Sequence, residues 1–192
     1  MDKWIHNVVA ENIRKGKIAE NEIEIYEYGY TMILEKMIIF FISIVIAFAL
    51  NAIWEVIALC VTFIPLRIYS GGYHAKSRYW CMVLSGLMLI IGIIVVRSFQ
   101  ELLCMGNYLV IELICGIILV LCAPVEVAHR KISHSEKNYF KKVVIFIAGV
   151  EMIIGILLLV YEKNIWASII IISNVFNICS VGSEILLRYK HQ

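Results

Sequence analysis

Charge is what this sequence has little of. Of its 192 residues, 17% are Asp, Glu, Lys or Arg and 61% are hydrophobic, where soluble domains carry about 25% charge. A soluble domain of this length would have to expose much of that apolar surface, so the class is excluded. Proline occurs twice and glycine eleven times, too rarely for a disordered or collagen-like chain. A net charge of +2 lacks the basic surplus of a nucleic-acid binder, and no nucleic-acid partner is expected. The six cysteines, Cys60, Cys81, Cys104, Cys115, Cys122 and Cys179, form no C-x-x-C pair, and most lie inside apolar runs. Neither a disulfide framework nor a zinc site is expected. The H-E-x-x-H pattern of a metal-dependent protease is missing, as is any cofactor motif. Asp2, His6, Asn7, Glu11, Asn12 and Arg14 interrupt any early apolar run, so no signal peptide is expected.

What is present is a series of long apolar runs, which points to an all-α, multi-pass membrane protein. A spanning helix needs about 20 apolar residues, with about 17 as the short limit. Six stretches qualify: Thr31–Leu50, Ile53–Tyr69, Trp80–Val96, Tyr108–Ala123, Val143–Tyr161 and Ile165–Leu187. They are too long for the alternating strands of a barrel. Before them, Trp4, Ile5, Val8, Val9 and Ile13 fall near one helical face. This reads either as an amphipathic helix on the inner leaflet or as a solvated leader capping the bundle. Gly16 is expected to end it, and a second acidic helix with Glu20, Glu22, Glu24 and Glu27 to lead into the first span. With no repeat or linker visible, the chain is taken as one domain over 1–192, with a leader over 1–30 and a six-helix bundle over 31–187.

Charge sets the expected orientation. Lys3, Arg14, Lys15, Lys17 and Lys36 precede or open the first span. Arg67, Lys76 and Arg78 lie around the loop after the second, and Arg130, Lys131, Lys137, Lys141 and Lys142 follow the fourth. Arg188 and Lys190 close the chain. These are fifteen of the seventeen basic residues, and the alternate loops hold only Arg97 and Lys163. The positive-inside rule then places both termini in the cytoplasm.

The stretch richest in chemistry is Arg67 to Cys81, R-I-Y-S-G-G-Y-H-A-K-S-R-Y-W-C. Cys81 opens the third span and His74 precedes it by seven residues, a candidate thiol nucleophile and its base. On a straight helix seven residues rise about 10.5 Å, too far for a hydrogen bond. A working pair requires His74 to fold back from a loop, and Gly71-Gly72 can supply the turn. Cys81 would then sit at a helix N-terminus, where backbone N–H groups favour an anion, with Arg78 one turn earlier adding positive potential. The bland alternative is a buried small residue and an interfacial histidine. The other five cysteines read as packing residues. His129 and His134 read as solvated, and His6 and His191 carry no signal.

Arg67, Gly71, Gly72, His74, Ala75 and Cys81 together form R-x3-G-G-x-H-A-x5-C. This resembles the accessory gene regulator B family, membrane cysteine endopeptidases of Gram-positive quorum sensing. The likeness extends to the amphipathic leader, the six spans and the loop that begins Ala123-Pro124. The resemblance implies cleavage of a propeptide of the accessory gene regulator D kind, bearing an amphipathic leader, an internal Cys and an acidic tail. Cys81 would attack the carbonyl before the tail, with His74 moving the proton. The propeptide's own Cys would then displace the thioester to give a thiolactone.

Arg67 is left with three roles: holding the glycine turn, binding a substrate carboxylate, or anchoring a span end. Arg130, Lys131, Lys137, Lys141 and Lys142 could meet an acidic tail or anionic lipid. Glu126 is a candidate to orient His74. Glu112, Glu151 and Glu184 fall in or beside spans, where such residues are usually functional or paired, without nameable partners. A second copy of the chain, as a homodimer, is a further candidate partner. The competing reading is a non-catalytic bundle, a peptide exporter or a sensor accessory subunit.

The charge asymmetry yields a direct test. Cysteine tags at both termini and at Ser77 and Ser135 should be shielded from an impermeant reagent in intact cells. Tags at Asn107 and Asn164 should label above the background of the unmodified chain. Outside labelling at Ser77 would reverse the orientation.

Overall fold

The computed structural model describes residues 2–15, 19, 22–73, 78–125 and 133–190, and these are α-helical apart from short connections. The seven α-helices are α1 (Asp2–Arg14), α2 (Ile23–Ala49), α3 (Ile53–Ser70), α4 (Arg78–Phe99), α5 (Met105–Cys122), α6 (His134–Val160) and α7 (Asn164–Lys190), with a 3-10 turn at Gln100–Leu102. Six helices, α2 to α7, are long and apolar enough to cross a membrane.

Helix ends account for the differences from the expected spans. The apolar stretch expected from Thr31 is the later part of a helix that already starts at Ile23, so Glu24 and Glu27 lie in its first turns and not in a separate helix, with Glu22 at its N-cap; Glu20 lies outside the described residues. Helix α6 begins well before Val143 because Ser133 caps it. The Ser133 hydroxyl accepts from the Glu136 N–H at 3.3 Å, and Glu136 Oε2 accepts from the Ser133 N–H at 3.0 Å, a reciprocal box that satisfies two orphan donors. Helix α5 starts at Met105, where Asn107 Oδ1 accepts from the Cys104 N–H at 2.7 Å. Cys104 therefore marks an exposed helix start, and Cys179 is also exposed, so neither is a buried packing residue. On the face opposite the Gly71 turn, α2 and α6 end with Asn51 and Glu162 at positive φ. The following N–H groups of Ala52 and Lys163 reach back to Ala47 and Leu158, closing orphan carbonyls before the chain reverses.

Helix α1 docks rather than merely lying alongside. Ile5 and Val9 are buried against Ile13, Ile23, Tyr30 and Leu34, and His6 Nδ1 lies 2.6 Å from Glu27 Oε1. Trp4 stays exposed. The amphipathic face is thus divided between α2 and the surroundings. Gly16 lies outside the described residues.

Helix α7 is the centre of the bundle. Over half of its spanning window (56%) is buried, against 6–22% for the other five, and it packs on α3, α4, α5 and α6. It is also the polar helix of the set: Ser168, Ser173, Asn174 and Asn177 are all buried. The outer helices instead present Phe40, Phe41, Val45, Phe48, Val61 and Leu121 outward, which suits hydrocarbon but not water. At the far end from the Gly71 turn, Arg97 ties three elements together. It donates to the Leu50 and Asn51 carbonyls at 3.1 and 3.0 Å and pairs with Glu55 at 2.9 Å.

Close helix approach is visible at Gly155 on α6. A Cβ there would fall 1.6 Å from the Tyr108 hydroxyl and 2.2 Å from its ring. Tyr108 is fully buried and its hydroxyl donates to the Glu151 carbonyl at 3.4 Å, so it has no free space to enter. Gly155→Ala should destabilise the detergent-solubilised protein by about 1–3 kcal/mol, read as a lower unfolding temperature. Gly149→Ala, where nothing stands in the way, should not.

Candidate active site

Helix α3 stops at Ser70 because the next two residues take backbone angles that helices cannot use. Gly71 has φ 73° and ψ −158°, and Gly72 has φ 129°, regions open essentially to glycine. Space makes the same demand. A Cβ on Gly71 would lie 2.5 Å from the Val125 carbonyl oxygen, and one on Gly72 would lie 1.8 Å from Arg67 Nη1. The pair serves as a sharp turn and also as room for two polar groups that press against it.

The turn is held from three directions. Arg67, one turn before the end of α3, folds its guanidinium forward, so that Nη1 donates to the Gly71 carbonyl and Nη2 to the Tyr73 carbonyl. The Tyr73 N–H donates to the Ser180 carbonyl on α7 at 3.0 Å, and the Val125 N–H donates to the Ser70 carbonyl at 3.0 Å. The loops after α3 and α5 and the last turns of α7 thus meet at one end of the bundle. Each bond satisfies a backbone group that loses its helical partner where the chain turns.

Cys81 lies in the first turn of α4, half-buried and unpaired. The Arg67 guanidinium lies within electrostatic reach of the Cys81 sulfur and of the Glu184 carboxyl, and Glu184 is itself buried on α7. Among the described residues, a cation near Cys81 thus comes from α3, across the turn. The Arg78 side chain, from which the sequence led us to expect that charge, lies outside the described part of the chain. So do His74, Ala75, Glu126, His129, Arg130 and Lys131. The chain is non-helical over Gly71–Tyr73, immediately before His74. Lys137 and Lys142 are exposed on the first turns of α6, and Lys141 is half-buried beside them.

Sequence reasoning missed Ser180, Val125 and the placement of Glu184 beside Arg67. Their contributions are two backbone groups and a long-range approach, none of which leaves a local pattern. Of the cysteines read as packing residues, Cys115 is buried and Cys60 and Cys122 are half-buried.

The geometry predicts how the turn responds to change. Gly72→Ala must displace the Arg67 guanidinium. Arg67→Lys removes a planar fork that a single ammonium cannot reproduce on two carbonyls. Both variants should reach the membrane in normal yield while their Cys81 reacts several-fold more slowly with a thiol alkylator, because the neighbouring positive potential is moved. Gly106→Ala, with open space around it, should leave the rate unchanged. Wild-type rates in both variants would show that Arg67 does not act on Cys81.

The profile of accessory gene regulator B matches residues 2–181, nearly the whole chain. No curated protein and no solved structure matches it. The chain therefore belongs to the accessory gene regulator B family, part of the membrane apparatus that processes quorum-sensing peptides.

Proposed function

We propose that the protein is a membrane-embedded cysteine endopeptidase, with Cys81 as nucleophile and His74 as its base, that trims the tail of a propeptide and promotes thiolactone closure. The observation that carries this reading is the position of Cys81. It sits half-buried in the first turn of α4, beside a non-helical turn that Arg67 locks and that leads straight into His74. A continuous helix from His74 to Cys81 would hold the two residues about 10.5 Å apart, so the reading requires His74 to fold back over the first turn of α4.

In the reaction, Cys81 Sγ attacks the carbonyl at the boundary between signal segment and tail. The C–N bond breaks, a thioester forms on Cys81, and His74 carries the thiol proton to the leaving amine. The propeptide's internal thiol then attacks the same carbonyl. A second thioester forms within the peptide, and Cys81 recovers its proton. The exchange replaces one thioester by another and needs no oxidant or cofactor. Water is the competing nucleophile, so a site at the membrane boundary favours ring closure over hydrolysis. Arg67 and the two glycines support the site by fixing the turn. Lys137, Lys141 and Lys142 on α6, with Arg130 and Lys131 before them, are suited to receive an acidic tail. The basic loops put this end of the bundle, and both termini, on the cytoplasmic side.

Cys81→Ala and His74→Ala should each abolish cleavage of a co-expressed propeptide while the protein still accumulates in the membrane. The double variant should be no worse than either single one, because the two groups act as a unit. A propeptide lacking its internal Cys should accumulate on wild-type enzyme as a hydroxylamine-sensitive adduct at Cys81. Cleavage retained by Cys81→Ala would instead favour a non-catalytic exporter or accessory subunit.

A further inference from the structure

A second polar cluster lies in the middle of the bundle, away from Cys81. Glu112 is on α5 and Glu151 on α6, only 4% and 5% exposed, and both face Asn174 on α7, which is 1% exposed. Asn174 Nδ2 donates to the two Glu112 oxygens at 3.3 and 3.0 Å and also acts on the Glu151 carboxyl. Glu112 is about 10 Å along α5 from its start, and Asn174 about 15 Å along α7 from Glu184. The cluster is thus near mid-membrane and separate from the Arg67 turn.

The cluster has more acceptors than donors. Among the described residues, the Asn174 amide is the side-chain donor seen to act on the two carboxyls. The Tyr108 hydroxyl, within electrostatic reach of both carboxyls, is directed to the Glu151 backbone carbonyl at 3.4 Å. Glu151 Oε2 and Asn174 Oδ1 are both buried without any hydrogen-bond partner. No cation among the described residues forms an ion pair with either carboxyl. Among the described residues, the ionisable groups that interact with either glutamate are the other glutamate, Tyr108 and Cys115. Helix α3 packs against α6 and α7, and α4 against α7. Of their arginines with described side chains, Arg67 is engaged at the Gly71 turn and Arg97 with Glu55 at the opposite end.

Two ionised carboxylates in such a place each carry a desolvation penalty of several kcal/mol, with mutual repulsion added. One proton relieves both problems, because it removes a charge and converts an orphan acceptor into a donor. We propose that Glu112, Glu151 and Asn174 form an intramembrane proton site, in which the two carboxyls share one proton at neutral pH. The proton belongs to the pair rather than to either residue. Its presence holds α5, α6 and α7 together, and its loss leaves two like charges facing each other across the α5–α6 contact. This site stands independently of the cysteine endopeptidase reading.

The test uses the full-length protein in lipid nanodiscs, with 13C-labelled glutamate carboxyls, read by infrared or NMR spectroscopy. At neutral pH we expect one protonated carboxyl per chain, absent from the Glu112→Gln/Glu151→Gln double variant. Because the folded chain then holds one proton that the unfolded chain has released, stability must fall as pH rises from neutral. The unfolding temperature of the wild type should decline over that interval, while that of the double Gln variant stays level. A wild-type spectrum with every glutamate ionised at neutral pH would overturn the proposal. So would loss of the protonated signal when choline chloride is replaced by sodium chloride, which would assign the site to an alkali cation.

Discussion

A backbone carbonyl that loses its helical partner beside hydrocarbon must find another donor, because water is scarce there. The turn after α3 meets this constraint at the point where the chain has to leave helical geometry. Arg67 supplies the donors, with one guanidinium bonded to the Gly71 and Tyr73 carbonyls. The glycines leave room for it, since a Cβ on Gly72 would occupy the position of Nη1. Arginine and glycines are thus parts of one device, a short non-helical segment made tolerable at the membrane boundary. Cys81 at the start of α4 inherits its surroundings from that device, including the positive potential of Arg67.

Helix α7 links this turn to the rest of the protein. Ser180 accepts from Tyr73 at one end, Asn177 donates to the Ser173 and Phe63 carbonyls at 3.1 and 3.5 Å, and Asn174 meets Glu112. A helix carrying this many polar side chains is costly against lipid, and burial in the centre keeps them out of hydrocarbon and gives the Asn174 and Asn177 amides acceptors. The outer helices carry apolar side chains on their exposed faces and need no such company. The division between one buried polar helix and five largely lipid-facing ones follows from side-chain chemistry together with the low dielectric of the surroundings.

The six spans were readable in advance because hydrocarbon thickness imposes a length on any apolar run, and the runs here are long. Their ends were less readable. The start of α6 at His134 depends on the reciprocal bonds of Ser133 and Glu136, which add more than two turns of polar sequence that hydropathy does not count. The start of α2 at Ile23 likewise runs through acidic residues, and the packing of Ile5 and Val9 against Tyr30 and Leu34 covers part of that segment. Arg67, Gly71, Gly72 and Cys81 stood out as a motif because they are close in the chain. Val125, Ser180 and Glu184 did not, because they approach the same turn from residues 50 to 120 positions away.

The sequence by itself determined the class, the number of spans and the motif at the third span. Hydropathy, charge distribution and local spacing are properties of the chain alone, and the membrane reads them directly. Tertiary structure decided which helix sits at the centre, that Arg67 and Glu184 approach the same turn, and that Glu112 and Glu151 converge on a single asparagine. Each of these depends on the rotation of a helix about its own axis and on its choice of neighbours. Those are set by packing among α3, α5, α6 and α7, where the contacts lie far apart in sequence and leave no local trace.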